Sequence, residues 1–161
     1  MSSSRITSLA LLLGVLTLAP ALGMIKTWAL PDLVRKAQYI IIAKVAQQTE
    51  IAVDQHQIST IKNVLLPERV LKGDWNPREP ITLMTKKCGE PGQIGWLEDQ
   101  PDVPPKGFRV ILFLERAADG SLQTVNLVQG LWPLDPHGKP LGMGFGTTMA
   151  QLEALIKDTQ Q

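Results

Sequence analysis

The chain has 161 residues, 44% of them hydrophobic, with 16 basic side chains against 15 acidic ones. That length fits one domain able to bury a core, and so even a charge balance supplies no field to draw in nucleic acid or an anionic membrane surface. Cys88 is the only cysteine, which excludes an intramolecular disulfide, so the apolar core must hold the fold without the staples common in small exported domains.

Residues 1–23 have the order of an export signal. Arg5 charges a short leading stretch, and an apolar run from Leu9 to Ala19 follows, broken only by Gly14 and Thr17. Pro20 ends the run, and Ala21-Leu22-Gly23 puts small residues where a signal peptidase reads them. A membrane anchor is the alternative, but a spanning helix needs roughly 20 apolar residues, and this run is shorter. Cleavage is expected before Met24, giving one periplasmic or secreted domain over residues 24–161. Membrane contact is expected only if the leading segment is kept.

Leu30 to Ala37 predicts a short helix. Pro31 suits the first helical position, Asp32 suits the positive end, and Leu30, Leu33, Val34 and Ala37 share a face. Tyr39-Ile-Ile-Ile-Ala-Lys-Val45 predicts a strand that is apolar on both faces at first and polar by Gln47 and Gln48. Asp54-Gln-His-Gln57 predicts a hairpin tip, and Ile58–Leu66 the returning strand. Pro67 has no N–H to give a ladder, so it marks a bulge or an edge. Val70-Leu-Lys-Gly73 then closes on a glycine turn.

Ile81–Thr85 alternates as a short strand, and Phe108–Glu115 is apolar on both faces through its middle. Asp119-Gly120 predicts a tight hairpin leading into a fifth strand over Leu122–Leu127. Thr148 and Gln151 have capping-box spacing, and Met149, Leu152, Leu155 and Ile156 form a stripe, so a helix is expected over Met149–Lys157. Residues 87–107 and 133–147 are dense in Gly and Pro and predict irregular chain. A connection as long as 87–107 inside a small domain is often where function sits. The fold class is mainly β: five antiparallel strands forming a small barrel or sandwich, with a helix near each end of the domain.

Four stretches keep a familiar order: Tyr39–Val45, Arg69-Val-Leu-Lys-Gly-Asp74, Gly107-Phe-Arg-Val-Ile-Leu-Phe-Leu114 and Gln129-Gly-Leu-Trp132. In these the chain resembles small exported bacterial proteins that share the netrin-like fold of tissue inhibitors of metalloproteinases. The resemblance implies a five-stranded OB-type barrel with helices packed at its ends. It does not imply the inhibitors' mechanism, which needs a cysteine at the mature N-terminus to cap the protease zinc. Here the expected start is Met24-Ile25-Lys26.

No motif for a cofactor, metal or catalytic site stands out. Cys88 with His56 or His137 could form a thiol and base only if folding brings them within hydrogen-bond reach. His137 lies in Asp135-Pro-His-Gly138, a turn, and His56 lies near a hairpin tip, so both read as surface residues. A thiol left single in an oxidising compartment could instead join a partner chain. Two histidines and one cysteine, far apart, fall short of a zinc set. Gly142-Met-Gly-Phe-Gly146 precedes a helix but lacks the Lys-Ser/Thr step of a phosphate loop. Glu98-Asp99, a pair of loop carboxylates, reads as solvated surface.

Trp96 and Trp132 carry the binding expectation. Aromatic rings on the loops of an OB-type barrel can stack on a ligand, and the simpler alternative is that each plugs an end of the barrel. The sequence therefore favours a non-enzymatic exported domain that meets a protein or envelope ligand through its loop face. A hydrolase with an unrecognised site and a protease inhibitor of non-standard mechanism are the other readings.

Overall fold

The computed structural model describes residues 26–89, 97 and 99–159. The expected export signal, its expected cleavage point before Met24, Trp96 and Glu98 lie outside the described residues. Within them, ten elements follow in order, and six strands form one antiparallel sheet accompanied by two α-helices.

Helix α1 spans Leu30–Lys36, with Pro31 and Asp32 in its first turn as the sequence requires. Its last turn would leave carbonyls bare beside the sheet. Lys72 meets them from below: its ammonium donates to the carbonyls of Val34 and Ala37 at 2.7 Å each and to that of Arg35 at 3.2 Å. A cation at the negative end of a helix also complements its dipole.

Strands β1 (Tyr39–Val53) and β2 (Ser59–Lys72) form a long hairpin, both longer than their sequence pattern indicated. The extra length is hidden by bulges that shift the phase of alternation. One falls between the pairs Ile42↔Arg69 and Ala43↔Pro67, where proline was expected to mark an irregularity. Asp54 closes the hairpin, its carboxylate accepting the N–H groups of His56 at 2.8 Å and Ile58 at 3.0 Å. At the other end Gly73 turns the chain with φ +84°, and a Cβ there would lie 2.3 Å from the Gln38 carbonyl oxygen.

Strand β3 (Ile81–Lys87) pairs with β2, and β4 (Arg109–Arg116) pairs with the first six residues of β1. The Asp119-Gly120 turn forms as expected, with the Ala117 N–H donating to Ser121 O at 2.9 Å. The following strand, β5, covers only Leu122–Thr124 and does not reach Leu127. The reason is conformational: Asn126 and Leu127 adopt left-handed φ values of 52° and 54° and lead into a 3-10 turn over Leu127–Gly130. The chain then returns to β4 as β6 (Leu131–Pro133), a sixth strand where five were expected. The ladder order is β3-β2-β1-β4-β5, with β6 also on β4. Among the described residues no ladder joins β3 to β5.

Helix α2 (Met149–Thr159) starts with the capping box read from the sequence. The Gln151 N–H donates to Thr148 Oγ1 at 3.2 Å, and Gln151 Oε1 accepts the Thr148 N–H at 2.8 Å. Among the described residues no helix is long and apolar enough to cross a membrane.

The central strands are apolar on both sides because both sides are covered. Ile40, Ile42, Ile111 and Phe113 face the helices, packing with Leu33, Val34, Leu152 and Ile156. Ile41, Ala43, Val45, Val110 and Leu112 face the other way, into a second core with Leu65, Ile81, Leu83, Trp75 and Val103. We call this second side the inner face. Burial on this scale is what stabilises a chain that has no disulfide.

Candidate functional site

The inner face changes character along its length. Near the middle of the sheet it is aliphatic, through Val45, Leu65 and Leu83. A bulge after Val45 then inserts Ala46 as an extra residue, so that Gln48 rather than Gln47 returns to the same side, opposite Asn63. Asn63 in turn lies opposite Leu83, and Ile61 opposite Thr85. Three polar side chains thus replace the apolar ones where the core reaches its open end.

They bond to one another. Asn63 is fully buried and accepts from Gln48 Nε2 at 3.0 Å. Its own amide nitrogen donates to Thr85 Oγ1 at 2.9 Å, and to the carbonyls of Leu83 at 3.2 Å and Ile61 at 3.3 Å. Gln48 Nε2 also donates to the Val103 carbonyl at 3.0 Å, which ties the floor to the irregular chain above it. Among the described residues no buried side-chain polar atom lacks a partner. A buried amide such as that of Asn63 is tolerated only when so satisfied.

Above the floor lies an open cleft of about 400 Å³. Its sheet side presents Thr49, Glu50, Ile61 and Lys86, and its cover is Leu97 with the chain from Gln100 through Pro105. The cover follows from the sequence. Val103 is buried in the inner core, and the prolines at 101, 104 and 105 offer no N–H with which to continue a ladder. The segment therefore lies across the sheet instead of joining it. Glu50 is engaged at the rim, its carboxylate accepting the Ser59 hydroxyl at 2.6 Å.

Cys88 lines this cleft and is half-buried. Neither histidine is bonded to it among the described residues. His56 and His137 instead occupy two copies of one turn, each donating its backbone N–H to an aspartate two residues earlier at 2.8 Å. The same two carboxylates also accept from Ile58 and Lys139, four residues on. These bonds hold Asp54 and Asp135 below the ordinary carboxylate range, with the N–H of Ile58 and of Lys139 the leading cause in each. Both histidines are exposed, as their turn sequences indicated. Among the described residues no three His, Cys, Asp or Glu side chains could hold a metal ion.

Of the two tryptophans expected at a ligand, Trp132 is only 2% exposed. Its ring packs on Phe113 with centroids 4.7 Å apart, and its indole N–H donates to the Gln129 carbonyl at 2.9 Å. It serves the helix-side core, closed to solvent. The sequence marks Gln48 as the polar end of its strand but not its union with Asn63 and Thr85, three ordinary polar residues in separate strands with no shared local signal. No family model matches the chain, and no curated protein matches it.

Proposed function

We propose that the protein is an exported, non-enzymatic binding domain that receives a protein or envelope ligand in the cleft between the 100–105 cover and the polar end of the inner face. One observation carries the reading: the core ends in a mutually bonded polar floor, the buried Asn63 amide and Thr85 hydroxyl with the exposed Gln48 amide bonded over them, that opens into a cleft. Polar groups at that depth cost stability unless they are fully paired, and an aliphatic layer would close the end of the sheet more simply. The half-buried Cys88 thiol on the cleft wall gives a bound partner chain a point of disulfide attachment.

The floor groups are neutral hydrogen-bonding groups. The rim carries both signs of charge, through Glu50 and Asp102 against Lys86 and Lys87. Such a lining suits a neutral or zwitterionic polar ligand, such as extended peptide chain, better than a polyanion.

The test is to block the mouth. Glu50 and Asp102 are exposed at the rim, so Glu50→Trp and Asp102→Trp place bulk there without entering the core. The material that co-purifies with the protein from cells that produce it should be lost from both variants while their melting temperatures stay near that of the parent. Retention of the same material by both variants would overturn the cleft as the binding site.

A further inference from the structure

We infer a second binding site, separate from the cleft and independent of its reading, for an oxyanion carried on an apolar body. It lies between the segment Lys26–Ala29 and the outer side of α1, in an open groove of about 520 Å³. Lys26, Arg35 and Lys36 line it with three cations, Asp32 is the single carboxylate on the lining, and Trp28 supplies an aromatic wall. Arg35 contacts Asp32 at 2.6 Å, and Lys36 lies 3.6 Å from Glu115, beyond the groove. Counting Glu115 against the lining, one positive charge is left over. The indole N–H of Trp28 has no protein partner among the described residues, so the aromatic wall also carries a free donor.

The wall is a built one. Gln129, 6% exposed, grips Trp28 from behind. It accepts the Trp28 N–H at 2.9 Å and donates to the Trp28 carbonyl at 2.6 Å, as a neighbouring strand would. Asn126 donates to the Lys26 carbonyl at 2.9 Å and to Gln129 Oε1 at 2.7 Å. This arrangement is held against backbone preference, because Asn126 and Leu127 both sit at left-handed φ. A leucine in that region is strained and persists only where its surroundings enforce it. Gly130 completes the turn, since a Cβ there would lie 2.5 Å from the Val125 carbonyl oxygen. The bonds from Gln129 and Asn126 hold the backbone of Lys26 and Trp28 as a wall facing the cations of α1.

A carboxylate or a phosphate monoester could take the cations while its apolar portion lies on Trp28, an arrangement that matches charge-assisted hydrogen bonding with aromatic burial. Two sources share this chemistry: a soluble molecule and the headgroup of an anionic lipid. The full chain is titrated with phenyl phosphate, and separately with vesicles of phosphatidylcholine containing or lacking phosphatidylglycerol, while the Trp28 indole N–H resonance is followed. The Lys26→Gln/Arg35→Gln double variant carries the same residues 1–25 and is the comparison in both arms.

The expected result is a saturable shift with one probe or the other, weakened at least roughly tenfold in the double variant and weakened by added salt. A response to phenyl phosphate alone identifies a soluble ligand, and a response to phosphatidylglycerol vesicles alone identifies a lipid. Gln129→Ala, which detaches the wall, should weaken binding with both cations intact. Should that variant fail to fold, the double variant still decides. Absence of a saturable shift up to about 10 mM phenyl phosphate, together with equal behaviour toward the two vesicle types, would overturn the site. So would a shift of equal strength in the double variant.

Discussion

Asn63 donates to Thr85 Oγ1 at 2.9 Å across the β2–β3 ladder, and both residues stand on the side of the sheet that Leu65 and Leu83 fill a few residues away. This pair marks where the inner core stops being apolar. Removing Asn63 leaves the buried Thr85 hydroxyl and two carbonyls short of a partner, while the exposed Gln48 keeps its bond to the Val103 carbonyl. Asn63→Ala is expected to cost about 1–3 kcal/mol, read as a lower denaturant midpoint at unchanged slope. Thr85→Val, which keeps the shape and removes one of the three acceptors of the Asn63 amide, should cost less. A neutral Asn63→Ala would mean that water replaces the network without loss.

The Lys72 ammonium joins β2 to the end of α1 through three carbonyls. Lys72→Met retains the aliphatic stem and removes the donors, so those carbonyls lose their bonds. A loss of about 1–3 kcal/mol is expected, with faster amide exchange concentrated in Leu33–Ala37. Burial holds the Lys72 pKa below its ordinary value of 10.5, as expected for an ammonium drawn toward the protein interior. Uniformly unchanged exchange in α1 would show that helix packing, not the lysine, secures its end.

Core positions give the reference scale for these effects. Ile41 and Leu112 are fully buried and Leu83 nearly so, and truncating any of them to alanine should cost roughly 2–5 kcal/mol through the cavity left behind. Cys88→Ser, on the half-buried wall of the cleft, should move the melting temperature little. A drop as large as that of Leu83→Ala would place the thiol in the core.

Acid should weaken the protein through three turns. Asp54, Asp119 and Asp135 each accept local hydrogen bonds that lower their pKa from the ordinary 3.8, Asp119 chiefly through the Ser121 hydroxyl. A carboxylate with a depressed folded pKa contributes stability that is present above its unfolded pKa. That stability is lost as pH falls through the folded value. The melting temperature should therefore hold steady above about pH 5 and fall on acidification below about pH 4. In the triple variant Asp54→Asn, Asp119→Asn, Asp135→Asn the acceptors stay but the titration goes, so the acid limb should flatten. An unchanged limb would assign the acid loss to other groups.

Much of the fold was legible because its signals are local. Pro31 and Asp32 start one helix, the Thr148–Gln151 pair starts the other, and Asp119-Gly120 turns a hairpin where the sequence placed it. Pro67 does sit at a bulge. The Asp-x-His sequences at 54 and 135 gave both histidine turns. What escaped was set by distant partners. The far half of β1 is exposed throughout and interrupted by bulges, so no period of two survives to be read. The fifth strand stops at Thr124 because Asn126 and Gln129 reach residues about a hundred positions away. Strand β6 has three residues, too few for a pattern. The cleft floor joins residues 15 and 22 positions apart, none of them unusual by type.

The central claim is that ligand sits between the 100–105 cover and the Gln48–Asn63–Thr85 floor, and site-specific photocrosslinking tests it most directly. A photoreactive phenylalanine analogue is placed at Glu50, at Gln100 or at Asp102 around the mouth, and at exposed Lys157 on α2 as the outside position. The account predicts that the three mouth positions give a common adduct, identified by mass, and that Lys157 does not. No adduct from any mouth position, or the same adduct from Lys157, would contradict it.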